Sequence, residues 1–284
     1  MIVYTDYTKI LNAISFTGGA GKVQLTPVLG DDRTVVDQQN GTTQFDYMIL
    51  SSLADFNAQG YYPAYETNHL PKGTPALTAT QVNIVQNVLH TALTDFYSVT
   101  FEDVANVQFN VGSSTNANIT VGQVSYPTDP TIPAYEYDSS SGADSLNHGD
   151  IWLNSDALVN WNQTSEGTNA HTTIMHELGH ALGLDHTFTI STDIFGNIIR
   201  TQKISADGTS IDNQKYSIMS YDHMAGMDVA NRDDDVNPSG LQLYDIAAIQ
   251  EIYGRNYATR TGDTVYSKDT PFARPRPTDA FIYP

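Results

Sequence analysis

The stretch His176-Glu177-Leu178-Gly179-His180-Ala181-Leu182-Gly183-Leu184-Asp185-His186 decides how the rest of this chain is read. On a helix, residues four apart stack one turn above the other, with Cβ atoms about 5–6 Å apart. The imidazoles of His176 and His180 can therefore both reach one tetrahedral zinc ion. Glu177 lies about 100° further round the helix, so it can flank the ion without ligating it. His186 cannot join on a continuing helix, because its offset from His176 is about 15 Å along the axis. Gly183 allows the chain to turn back: lacking Cβ, it can take a positive φ, end the helix and swing His186 toward the metal. Three imidazoles leave the fourth position to water, the arrangement of a catalytic rather than a closed structural site.

Working outward, this helix is expected over residues 170–182. A longer one is expected over 78–97, opened by a capping box of Thr78 and Gln81. Val82, Val85, Leu89, Leu93 and Phe96 recur on it at three- and four-residue steps, as one apolar stripe. Short strands are expected at 45–50, 107–111, 119–124 and 151–154, with 134–137 as a short edge strand. Residues 195–204 suggest a hairpin. A last helix is expected over 241–253, closed by Gly254. His171 is five residues before His176 and points elsewhere, as a polar surface histidine.

Composition limits the function classes. Thirteen basic against thirty-two acidic residues leave a formal net charge of −19, which repels phosphate backbones and argues against nucleic acid. The chain has no cysteine, which excludes disulfides, thiolate metal sites and cysteine nucleophiles. No run of 18 or more apolar residues suggests a membrane span, and residues 1–15 do not read as a secretory signal peptide.

The zinc pattern, followed about thirty residues later by Ser217-Ile218-Met219-Ser220-Tyr221, resembles the metzincin zinc proteases, whose third histidine is followed by a methionine-containing turn. Within them, Met219-Ser220-Tyr221, Asp245-Ile246-Ala247-Ala248-Ile249-Gln250 and the tail from Thr259 to Tyr266 are similar to the serralysins, bacterial proteases exported by a type I system. Two departures stand out. Thr187 occupies the position after the third histidine where serralysins usually have proline, and no glycine- and aspartate-rich calcium-binding β-roll follows Tyr266.

The resemblance implies an α+β metzincin-type domain, with a twisted mixed sheet, two long helices and a mostly irregular C-terminal subdomain ending in a helix. It divides the chain into an N-terminal extension (1–40), an N-terminal subdomain (41–183), a C-terminal subdomain (184–266) and a proline-rich tail (267–284). It implies zinc at His176, His180 and His186, with Glu177 as catalytic base. Met219 would be an apolar floor beneath the histidines. Tyr221 would be a fifth ligand that swings away when substrate binds. Ala134, Tyr135, Glu136 and Tyr137 form the candidate edge for an extended substrate. Calcium is a second candidate cofactor, since Arg260, Gly262 and Thr264 match a carbonyl half-site, although the carboxylate half is missing. The expected function is a secreted zinc endopeptidase of bacterial origin, without a cleavable N-terminal signal. It would be a monomer acting on proteins or peptides, with a proteinaceous inhibitor as a candidate partner. The competing reading is a catalytically silent zinc-binding module of a calcium-dependent adhesin or toxin assembly.

Overall fold

The computed structural model describes residues 37–39, 42–58, 76–90, 99–113, 117–125, 130–136, 149–163, 166–192, 198–202, 212–222 and 237–259. Its strands are β1 (Asp37–Gln39), β2 (Thr42–Ile49), β3 (Val107–Val111), β4 (Ile119–Val124), β5 (Ala134–Glu136), β6 (Ile151–Asn154), β7 (Phe188–Thr192) and β8 (Ile198–Gln202). The helices are α1 (Leu53–Ala58), α2 (Ala79–Leu89), α3 (Phe101–Val104), α4 (Asn169–Ala181) and α5 (Leu243–Tyr253).

Six strands form one mixed sheet. β2 pairs in parallel with β3 and β4, and β4 in parallel with β6. β1 and β5 are antiparallel additions, β1 on β2 and β5 on β6, so the path β1-β2-β4-β6-β5 ends on β5. β4 and β6 are buried almost throughout, as central parallel strands covered on both faces must be, whereas β2 alternates buried and half-buried positions. Gly122 in β4 is needed for this packing: a Cβ there would meet Trp152 at 2.6 Å and Leu50 at 2.8 Å.

α2 opens on the expected capping box, with Thr78 accepting from the Gln81 amide and Gln81 reaching back to Thr78. It ends at Leu89 rather than 97, because His90 takes an extended conformation with its ring toward the Tyr47 hydroxyl at 3.1 Å. Its buried face is Gln81, Ile84, Val85, Val88 and Leu89, a complete i, i+3, i+4, i+7, i+8 stripe. Val82 is only half-buried, and Leu93 and Phe96 lie outside the described residues. The expected stripe was off-centre because it admitted only apolar residues. Gln81 can occupy the core face, since its side chain bonds to Thr78 and to Gln123 at 3.0 Å.

α4 packs on α2, β5 and β6. Thr168 caps it by accepting from the His171 amide, and nearly every residue on it is buried. His171 is among them, 3 % exposed, which corrects the surface reading. At the next position the segment before α5 lies against the helix, Thr172 Oγ1 donating to the Pro238 carbonyl at 3.0 Å.

The C-terminal part holds the β7–β8 hairpin, the irregular stretch 212–222 and α5. Gly254 ends α5 with φ 81°. The exit from α5 is tied back to the first half of the chain. Asn106 donates to the Gly254 carbonyl, Gln250 to the Val104 carbonyl and Asn256 to the Glu102 carbonyl. Among the described residues no helix is long and apolar enough to cross a membrane.

Candidate metal centre

His176 and His180 stand one turn apart on α4, and the chain leaves that helix through Gly183, whose φ of 95° is the left-handed turn expected there. The turn is bonded back onto the helix by Gly183 N–H to His180 O at 2.8 Å and Leu184 N–H to Gly179 O at 2.9 Å. His186 thereby returns to the other two. The three Nε2 atoms form a near-equilateral triangle with sides of 3.1, 3.2 and 3.2 Å.

The partners of the outer ring nitrogens say what that triangle can hold. His176 Nδ1 lies 2.8 Å from the Ile218 carbonyl and His180 Nδ1 lies 2.8 Å from the Leu184 carbonyl. A carbonyl only accepts, so each Nδ1 carries a proton, which leaves Nε2 as the nitrogen whose lone pair a metal can use. Burial, reinforced by neighbouring His180, pushes His176 down to about 3, so this ring is neutral near pH 7. Converging lone pairs repel unless a cation lies among them. Nitrogens bound at 2.0–2.1 Å to a tetrahedral zinc stand about 3.3–3.4 Å apart, and the observed spacings fit that ion closely. No other group of three or more metal-ligating side chains occurs among the described residues.

Glu177 is 6 % exposed, and burial pushes its carboxyl up to about 8. Met219 is fully buried beneath α4. A Cβ on Gly179 would lie 2.9 Å from the Met219 sulfur, so the central glycine of the motif is what lets the methionine sit there. Tyr221 is half exposed, with its ring centroid 5.5 Å from that of His176, 4.9 Å from His186 and 4.8 Å from Phe188. Phe188 itself stacks on His186 at 4.7 Å and 20°.

Sequence reasoning missed several supporting groups. Asp245 of α5, fully buried, accepts from Ser217 Oγ at 2.6 Å, Ile218 N at 2.9 Å and Gln242 N at 2.8 Å. It thus fixes the residue whose carbonyl orients His176. Its carboxyl is pushed up to about 7 by burial, against those three hydrogen bonds. Tyr253, at the other end of α5, donates to the Leu182 carbonyl at 2.9 Å and so braces the turn out of α4. A buried-looking aspartate in the first turn of an apolar helix was the one available signal.

Of the other candidates, Ala134 to Glu136 form the edge strand β5, while Tyr137 lies outside the described residues. Arg260, Gly262 and Thr264, the calcium candidates, also lie outside them.

A mixed sheet backed by two helices, with a three-histidine cluster completed after a glycine turn, defines a metzincin-type protease domain. The matrixin peptidase family model matches residues 70–216, and the chain belongs to that family. It is similar to metalloprotease AprA of Pseudomonas entomophila, at 29 % identity over 80 % of this chain and 42 % of that protein. It is also similar to serralysin of Proteus mirabilis, at 26 % identity over 93 % of this chain and 50 % of that one. Serralysin B of Dickeya chrysanthemi is 34 % identical over 58 % of this chain and 33 % of its own length. Among solved structures, myroilysin matches with a TM-score of 0.40 at 18 % identity, covering 78 % of this chain and 88 % of that one. The chain spans half or less of the length of these curated relatives.

Proposed function

We propose that the chain is the catalytic part of a zinc-dependent endopeptidase, with His176, His180 and His186 holding the metal and Glu177 acting as base. The observation that carries this reading is the triangle of Nε2 atoms beside a buried glutamate. Zinc, when bound, would polarise the scissile carbonyl and bring the pKa of the attacking water to about 7. Burial alone holds the Glu177 carboxyl up at about 8, but a dication beside it favours the carboxylate, which takes the proton from that water and passes it to the leaving amine nitrogen. Tyr221, its ring half exposed at the rim of the cluster, donates a hydrogen bond from its phenol to the developing oxyanion. Burial of the base and of His176 keeps bulk water from competing for the proton.

The outer edge of β5 offers backbone groups to an extended peptide, which would add to the sheet as a further strand. Secretion, a monomeric state and sensitivity to a proteinaceous inhibitor belong to the same reading, supported by the likeness to serralysins. Cleavage of casein by wild type, chelated protein and Glu177→Ala tests it. Wild type should cleave, and Glu177→Ala should lose at least about 100-fold while still binding zinc. Undiminished cleavage by Glu177→Ala would overturn the assignment of the base. Zinc-loaded wild type without activity would favour a silent binding module.

A further inference from the structure

His176 and His180 are held by a helix, but His186 and Tyr221 sit on two loops that are distant in sequence. A buried carboxylate joins those loops. Thr187 Oγ1 donates to Asp212 Oδ1 at 2.6 Å, and Ser220 Oγ donates to the same oxygen at 2.6 Å. Thr187 directly follows His186, and Ser220 directly precedes Tyr221. Thr187, Ser220 and Asp212 are 0, 1 and 3 % exposed, so water does not compete for these bonds.

The geometry around the carboxylate is determined on both sides. Ser220 Oγ also accepts from the Asp222 amide at 3.0 Å, which leaves its hydroxyl proton for Asp212. Gln214, two residues beyond Asp212, donates its amide to the Asp222 carbonyl at 2.8 Å, so the stretch 212–222 closes on itself around Ser220. The direct backbone link between the loops, Thr187 N–H to Met219 O, is 3.4 Å long and correspondingly weak. The two 2.6 Å bonds have the length of strong hydroxyl–carboxylate bonds. Phe188 stacks on His186 but meets Tyr221 at a 55° tilt, and neither ring contact carries a directional bond. The short directional bonds between the two loops are those to the carboxylate.

We propose that Asp212 is a positioning residue for the metal centre: through Thr187 and Ser220 it locks the loop bearing the third histidine to the loop bearing Tyr221. This rests on reading the triad as a zinc site. The helical pair is already brought together by α4, whereas His186 reaches the metal only if its loop is held.

Zinc release from the holoenzyme to a chromophoric chelator tests the proposal, alongside the thermal stability of the metal-free protein. Thr187→Val keeps the shape of the side chain and removes one hydroxyl. It should speed zinc release by about tenfold, in the range found for groups that support metal ligands. Asp212→Ala should speed it at least as much. Thr187→Ser, which restores the hydroxyl, should release zinc like wild type. Val85→Ala, a cavity in the core on α2, serves as control: it should lower thermal stability and leave zinc release unchanged. Ser220→Ala should lower kcat several-fold with KM little altered, because the Tyr221 side of the lock is loosened. Wild-type zinc release by Thr187→Val, or equal loss in Thr187→Ser and Thr187→Val, overturns the proposal, even where Asp212→Ala fails to fold. Differences in zinc release among the variants, with a wild type that cleaves nothing, would uphold the lock while removing the endopeptidase reading.

Discussion

The metal centre has two halves built on different principles. His176 and His180 follow from helix periodicity: α4 alone puts them on one face, and only the orientation of their rings is set from outside, by the carbonyls of Ile218 and Leu184. His186, Met219 and Tyr221 lie outside any helix or strand, and bonds from elsewhere in the sequence hold the segments that carry them. Gly183 and Leu184 turn the chain locally, but Asp245 holds Ser217 and Ile218, and Tyr253 braces Leu182. A local half costs little to specify but cannot close a three-ligand site. The non-local half closes it and is correspondingly easier to loosen.

Removing the metal should expose this difference most strongly. At free zinc of about 100 times its dissociation constant, binding adds about 2.7 kcal/mol to stability. Chelation should therefore lower the melting temperature by several degrees. Hydrogen exchange should then show amides of 217–222 losing more protection than those of 172–180. Equal loss in both segments would erase the distinction between the halves.

Asp245→Ala attacks the non-local half, and through the Ile218 carbonyl the orientation of His176, and leaves three buried donors without their acceptor. A loss of about 2–3 kcal/mol is expected in urea denaturation. The same residue gives a graded version. Its carboxyl is raised to about 7 from an ordinary 3.8, so the folded state keeps a proton that the unfolded chain releases. The contribution of this group to stability is thus fullest below about pH 4, falls as pH rises to about 7, and is level beyond. Asn at this position does not titrate. The stability of wild type relative to Asp245→Asn should therefore decline between pH 4.5 and 7, and a constant difference would exclude the burial-raised carboxyl.

The local half should respond more mildly. Thr168→Ala removes the cap of α4 and should cost about 1 kcal/mol, with zinc affinity retained. The smallest effect lies where the halves touch. Alanine at 179 would favour the helix by up to about 1 kcal/mol, but its Cβ would press on the Met219 sulfur. Gly179→Ala should therefore destabilise slightly in wild type and stabilise in a Met219→Ala background. The same sign in both backgrounds would mean that the glycine is not there for the methionine.

What could be seen in the sequence follows the same division. Strands at 107–111, 119–124 and 151–154, the Thr78 capping box, α4 and the glycine turn at 183 depend on short-range pattern, and each appears where pattern places it. The three histidines meet as their spacing requires. What pattern could not show was long-range. The short helices α1 and α3 and the strand β1 have too few residues for a period to register. Gln81 looked polar because its partner Gln123 is far along the chain, and the burial of His171 has no mark in the local pattern. The carbonyls of Ile218 and Leu184, which orient two imidazoles, carry no side-chain signature at all.

The brace formed by α5 also has a consequence for timing. Its two anchoring groups, Asp245 and Tyr253, come after all three histidines in the order of synthesis. At about 5–20 residues per second, the ribosome reaches Tyr253 roughly 3–13 s after His186. Throughout that interval the nascent chain carries every metal-binding side chain but not the groups that align the turn beneath them. Full alignment of the three histidines therefore waits for α5 to leave the ribosome.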